Sequence, residues 1–124
     1  MKRIFIVEDE FISYTFLRMI ITKMGYEVIG NADNGKLAID KCLNEKPELL
    51  IMDVKIFGDI DGIDTVKKIH ENIFIPVIYV TASSDPETRD KADQTKFSDF
   101  LNKPVTYSDL ENAIKKAFNE NNIN

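Results

Sequence analysis

One cysteine and one histidine are all that the 124 residues hold of those two types. Cys42 therefore has no partner within the chain for a disulfide, and a lone thiol fits a reducing compartment. No Cys/His cluster exists to suggest zinc. Cys42 reads as a small helical packing residue, and His70 as a surface residue on a helix without the context of a phosphohistidine carrier. Basic charge is also short. Sixteen Lys and Arg against 21 Asp and Glu leave a formal net charge of −5 and a pI of about 4.9. That balance argues against a nucleic-acid face. The apolar stretch from Phe11 to Met24 carries Arg18 and Lys23 and is too short to span a bilayer. No signal-peptide pattern opens the chain. The expectation is a cytoplasmic protein with no membrane and no direct nucleic-acid partner. Repeats, low-complexity segments and linkers are absent too, so residues 1–124 read as a single domain with a fraying polar tail at 119–124.

What is present is 44% hydrophobic residues, enough for a core, arranged in short runs. Lys2–Val7 reads as a buried strand. Phe11–Met24 reads as a helix with Phe16, Leu17, Ile20, Ile21 and Met24 facing inward and Gly25 as the stop. Tyr26–Ile29 is a second strand. Asn34-Gly35 is a turn before a helix over Lys36–Asn44 that carries Leu37, Ile39 and Leu43. Glu48–Met52 is the third strand, followed by a loop over Val54–Gly62 and a helix over Ile63–Asn72. Val77–Val80 is the fourth strand. Asp85 caps, and Pro86 opens, a helix that includes Glu87–Lys96. Phe97–Leu101 is the fifth strand, and Ser108–Phe118 a last helix capped by Ser108. Strands alternating with helices indicate an α/β fold with a parallel sheet. The helix over Glu87–Lys96 has a single apolar side chain, Ala92. It is either a solvated surface helix or a low-stability element that shifts with ligand state.

The strand ends carry the chemistry. Ile4–Val7 stops at Glu8-Asp9, Leu49–Met52 at Asp53, Val77–Val80 at Thr81, and Phe100-Leu101 runs through Asn102 to Lys103-Pro104. In an open parallel sheet, ligands sit beyond the carboxyl ends of the strands. Three carboxylates there repel one another unless a cation or protons intervene, and oxygen-only ligation favours a hard ion such as Mg²⁺, with Mn²⁺ as a substitute. A carboxylate beside a bound metal is a plausible phosphoryl acceptor. The Lys103 ammonium, the Thr81 hydroxyl and a backbone N–H near Ala82 would stabilise the transferring group.

Glu8-Asp9, Asp53, Asp61-Gly62, Thr81-Ala82 and Lys103-Pro104, in that order and spacing, resemble the receiver domain of bacterial two-component response regulators. The resemblance covers essentially the whole chain. It implies a three-layer, doubly wound (βα)5 flavodoxin-like fold with sheet order 2-1-3-4-5. It implies Asp53 as phosphoacceptor from a histidine kinase or histidine phosphotransfer protein, and Mg²⁺ held by Glu8, Asp9, Asp53 and the Lys55 backbone carbonyl. Thr81, Ala82 and Lys103 would contact the phosphoryl group, the Lys103–Pro104 bond would be cis, and Phe100 would be the aromatic switch residue. Lys55 and Ser83 would flank the phosphoryl group and tune its hydrolysis. The output surface would be the 86–118 face, meeting a downstream protein or a second copy of the chain.

The chain also departs from the family pattern. Phe57 stands where proline is common, the loop from Asp53 to Asp61 is one residue longer, with Gly58 inside, and Lys96-Phe97 replaces the usual Gly-Ala pair. An aspartyl-phosphate hydrolase of similar fold is the enzyme alternative. It needs a second Asp where Lys55 stands, so a switch rather than an enzyme is expected. A flavin-binding module is disfavoured because Glu8-Asp9-Glu10 would repel a phosphate.

Overall fold

Successive residues of β1 (Arg3–Val7) point to opposite sides of the sheet. Ile4 and Ile6 enter one core and Phe5 and Val7 the other, as strand periodicity requires. The computed structural model describes residues 1–83 and 85–121. After β1 come α1 (Phe11–Lys23), β2 (Glu27–Ala32), α2 (Gly35–Glu45), β3 (Leu49–Asp53) and α3 (Gly62–His70). β4 (Val77–Thr81), α4 (Pro86–Ala92), β5 (Asp99–Asn102) and α5 (Tyr107–Asn121) complete the chain. All four strand pairings are parallel and the order is β2-β1-β3-β4-β5. Helices α1 and α5 cover one face, packing Leu17, Ile21, Leu110 and Ile114 against the sheet. The other face meets Ala38, Cys42, Val66, Ile69 and Ala92. β3 and β4 are buried along their whole length, which is why their sequences are continuous apolar runs rather than alternating ones.

Several elements differ from the sequence reading. The buried residues of α2 are Gly35, Ala38 and Cys42, while Leu37 is exposed and Ile39 and Leu43 are half-buried. The tight approach of α2 to its neighbours selects the small residues: a Cβ on Gly35 would sit 2.7 Å from the Ile60 side chain. Phe16 is 40% exposed, because Leu17, Ile20 and Ile21 fill the inward stripe of α1. The strand β2 runs to Ala32, with a register irregularity opposite Ile4 and Phe5. α4 stops at Ala92, and Phe97 lies before β5. α5 begins one residue earlier than expected, and the Thr106 hydroxyl, not Ser108, accepts a hydrogen bond from the Asp109 N–H at 3.0 Å. It continues to Asn121. The end of the expected polar tail, 122–124, lies outside the described residues. No helix among the described residues is long and apolar enough to cross a membrane.

Candidate functional site

The sheet order makes β1 and β3 neighbours, with connections leaving in opposite directions on either side of β1. A crevice opens at such a switch point, beyond the carboxyl ends of the strands. Register pairs Val7 with Met52, so Glu8 and Asp53 emerge side by side. Carboxylate oxygens of Glu8, Asp9 and Asp53 lie within 4.8 Å of one another. Glu8 and Asp53 are buried and Asp9 is half-buried.

Lys103 closes the cluster from the end of β5. Its ammonium lies 2.6 Å from Glu8 Oε1, 3.0 Å from Asp53 Oδ2 and 3.7 Å from Glu10 Oε1. The Lys103–Pro104 bond is cis, and the Lys103 N–H donates to the Thr81 carbonyl at 2.9 Å. Burial works against the Lys103 charge, but Glu8 and Asp53 outweigh it and hold the ammonium above its usual range. Burial raises the Glu8 carboxyl, and Asp53 adds to the rise against the pull of Lys103. Burial also raises Asp9, helped by its neighbour Glu8. Carboxylates crowded in this way favour a proton or a cation between them. Three oxygen donors with no nitrogen or sulfur suit a hard divalent ion, so the residues fit Mg²⁺.

Gly62 fixes the Asp53 backbone. A Cβ at residue 62 would lie 2.9 Å from the Asp53 carbonyl carbon and from Met52 Cγ, and closer still to the carbonyl oxygen. The Gly62 N–H also donates to the Val54 carbonyl at 2.8 Å. Just before it, Asp61 caps α3 by accepting from the Asp64 N–H at 2.8 Å. The Asp-Gly pair therefore seats the start of α3 directly on the strand end that carries Asp53.

The other sequence-picked residues are arranged less directly. Thr81 is fully buried, and its hydroxyl accepts from the Ser83 N–H at 3.1 Å. The Ser83 hydroxyl donates to Asp85 Oδ2 at 2.7 Å, so it serves the cap of α4. Ala82 is exposed. The Lys55 N–H donates to Asp53 Oδ1 at 3.2 Å, and the residue is exposed. Phe100 is half-buried in a three-ring cluster with Tyr79 and Phe97, ring centres 5.4–6.2 Å apart. A cleft of about 520 Å³ runs beside the acids, lined by Asp9, Lys55, Phe57, Asp61 and Asp64 among others. Glu10 was missed in the sequence as a neighbour of Lys103. The signal was the unbroken acidic run from Glu8 to Glu10, whose last N–H also donates to Glu8 Oε2 at 3.2 Å.

The pattern of the response regulator receiver domain matches residues 4–115. Over 124 residues the chain is 34% identical to the transcriptional regulatory protein CrdR of Helicobacter pylori, covering 98% of this chain and 57% of that protein. The chain thus spans little more than half of this relative. It is also 34% identical over 117 residues to the chemotaxis protein CheY of Thermotoga maritima, covering 94% of this chain and 97% of CheY. Among solved structures, a CheY-like response regulator receiver domain from Methanospirillum hungatei superposes with a TM-score of 0.88 at 28% identity, covering 97% of this chain and 95% of that one.

Proposed function

The chain belongs to the response regulator receiver domain family of two-component systems, and from that premise we propose that Asp53 accepts a phosphoryl group from a histidine kinase or a histidine phosphotransfer protein. Receiver domains are phosphorylation-dependent signalling switches rather than classical enzymes, and residues 1–124 are read here as one such unit. The observation that carries the proposal is the convergence of three carboxylates with the Lys103 ammonium, 3.0 Å from Asp53 Oδ2. An Asp53 carboxylate oxygen forms the new bond to phosphorus as the phosphorus–nitrogen bond of phosphohistidine breaks. The departing imidazole nitrogen keeps the bonding electron pair.

Glu8, Asp9, Asp53 and the Lys55 backbone carbonyl would hold Mg²⁺, which neutralises charge on the transferring group. Lys103 already sits against the acceptor and would follow a new phosphoryl oxygen. The Thr81 hydroxyl and the N–H of Ala82 are the remaining donors assigned to that group, and Phe100 is assigned the coupled aromatic switch. The 86–118 face would present the change to a downstream protein or to a second copy.

The Lys55 side chain would reach over the site and screen it from water, with Ser83 flanking the opposite side. Lys55→Ala would then shorten the phosphate half-life; an equal or longer half-life removes that role. The central test is labelling with acetyl phosphate in the presence of Mg²⁺, read by intact-mass spectrometry. A mass gain of one phosphoryl group that Asp53→Asn abolishes is the expected result. Undiminished labelling of that variant overturns the assignment.

A further inference from the structure

α4 is seven residues long, and Ala92 is its one buried residue. A helix of that length has too few hydrogen bonds to hold itself and depends on what it docks against. Here the docking is polar and charged. On one side the Arg89 guanidinium lies 5.0 Å from the Phe100 ring centre and 5.6 Å from that of Phe97. On the other, the Lys91 ammonium lies 2.7 Å from Asp61 Oδ2 and 3.1 Å from Asp64 Oδ2. Just beyond the helix, the Lys67 ammonium donates to Gln94 Oε1 at 2.9 Å. The Thr95 hydroxyl donates to the Ala92 carbonyl at 2.7 Å and shares a hydrogen bond with the Tyr79 hydroxyl at 2.8 Å.

The Lys91 partners are informative. Asp61 is the cap of α3, and Gly62 beside it rests on the Asp53 backbone. Lys91 therefore spans from α4, which follows β4 and its last residue Thr81, to the loop that seats Asp53. We propose that Lys91 is a positioning residue for phosphoryl acceptance: its bridge to Asp61 and Asp64 sets the resting position of α4 against the acceptor loop. The bridge couples the position of α4 to the state of Asp53, and at equilibrium such coupling is reciprocal. This rests on the assignment of Asp53 as phosphoacceptor.

The bridge is partly exposed, with the three side chains 31–36% accessible. Ion pairs of that exposure shift an opening equilibrium about two- to five-fold. Hydrogen–deuterium exchange of the 86–92 amides, without any phosphodonor, should therefore quicken by that factor in Lys91→Met. Lys91→Arg, which keeps charge and donors, should restore the wild-type rate. Asp64→Asn, which spares the α3 cap, should quicken exchange as well, and the double variant Lys91→Met/Asp64→Asn should add little further. The rate of acetyl phosphate labelling should rise two- to five-fold in Lys91→Met and return with Lys91→Arg. Unchanged α4 exchange in Lys91→Met, or faster exchange with an unchanged labelling rate, overturns the proposal. If wild type takes no label, the phosphoacceptor assignment fails separately, and the exchange comparison still reports on the bridge.

Discussion

Lys103→Met keeps a long flexible side chain and removes its charge. In the wild type the ammonium sits 2.6 Å from Glu8 Oε1 and 3.0 Å from Asp53 Oδ2, and these side chains are 1% and 6% exposed. At an effective dielectric of about 20, each such contact is worth roughly 5–6 kcal/mol before desolvation. The variant does not lose that much, because a cheaper route exists. Glu8, already raised by burial and by Asp53, can take up a proton instead. Protonating a carboxyl of ordinary pKa, about 4.3, costs about 3.7 kcal/mol at pH 7 and about 1 kcal/mol at pH 5. The destabilisation is therefore capped near those figures. With about 2.1 cal/mol/K of unfolding entropy per residue, they correspond to a Tm deficit of roughly 14 °C at pH 7 and roughly 4 °C at pH 5. The sign follows from linkage. In the variant the folded state holds its proton to a higher pH than the unfolded chain does, so stability rises as pH falls through the raised carboxyl pKa. Thermal melts of both proteins from pH 5 to pH 8 measure the deficit. A deficit that is constant, or that grows toward low pH, refutes the argument that Lys103 neutralises Glu8 and Asp53. Saturating Mg²⁺ should raise Tm more in the variant than in the wild type, since it acts on the same carboxylates.

Cys42 is fully buried, and burial pushes its thiol up to about 12. It should resist a disulfide reagent in the native state and react at once in denaturant; stoichiometric native labelling within seconds would contradict its packing. At an Mg²⁺ concentration ten times its Kd, the wild type should gain about 1.4 kcal/mol, or roughly 5 °C in Tm. Asp9→Asn should gain less than half of that shift at the same concentration, and equal shifts would remove Asp9 from the metal site. Gly62→Ala must push a methyl into the Asp53 carbonyl and should cost about 1–3 kcal/mol by overpacking, slowing acetyl phosphate labelling as well. Gly58→Ala meets no atom closer than 3.8 Å, but residue 58 has φ 106°, so it should lose roughly 1–2 kcal/mol of stability while Mg²⁺ affinity holds. A change in affinity as large as that of Gly62→Ala would show that the longer loop shapes the metal site.

The strand core was legible because β3 and β4 are buried on both faces, and a continuous apolar run has few other uses in a chain of this size. The order of motifs then placed Glu8, Asp9, Asp53, Thr81 and Lys103 at strand ends. Helix faces were read less well. On α2 Cys42 packs in the core as its reading as a helical packing residue expected, but Gly35 and Ala38 share that face while Leu37, which the helix also carries, is exposed. Close packing of α2 on its neighbours rewards small side chains, which a search for large apolar residues passes over. The cap of α5 was misread because Thr106 and Ser108 are both good capping residues two positions apart, and only the backbone decides between them. In the loop after Asp53, Gly58 adopts a positive φ of 106°, and a bridge between Asn34 and Phe57 ties this loop to the one before α2. Phe57 is left 68% exposed where the family often has proline.

What the sequence could not show was how the site charges are shared at rest. Glu8, Asp9, Asp53 and Lys103 sum formally to −2, a deficit that one divalent cation would cancel. The proposed phosphorylation of Asp53 would consume one carboxylate charge and add about −1.5 to −2, so the net change would be about one unit or less. A change that small, offset by the Lys103 ammonium beside it and by the divalent cation proposed there, would leave little net field at a distance. A field acting across the whole protein is therefore a weak way to transmit the signal. On the proposed function, the response would come from groups able to touch the added oxygens. Lys103 is already shared between Glu8 and Asp53. Thr81 is committed to the Ser83 N–H, and Ser83 in turn to the cap of α4. A new demand on the Thr81 hydroxyl therefore bears directly on a helix that has almost no apolar contact to resist it.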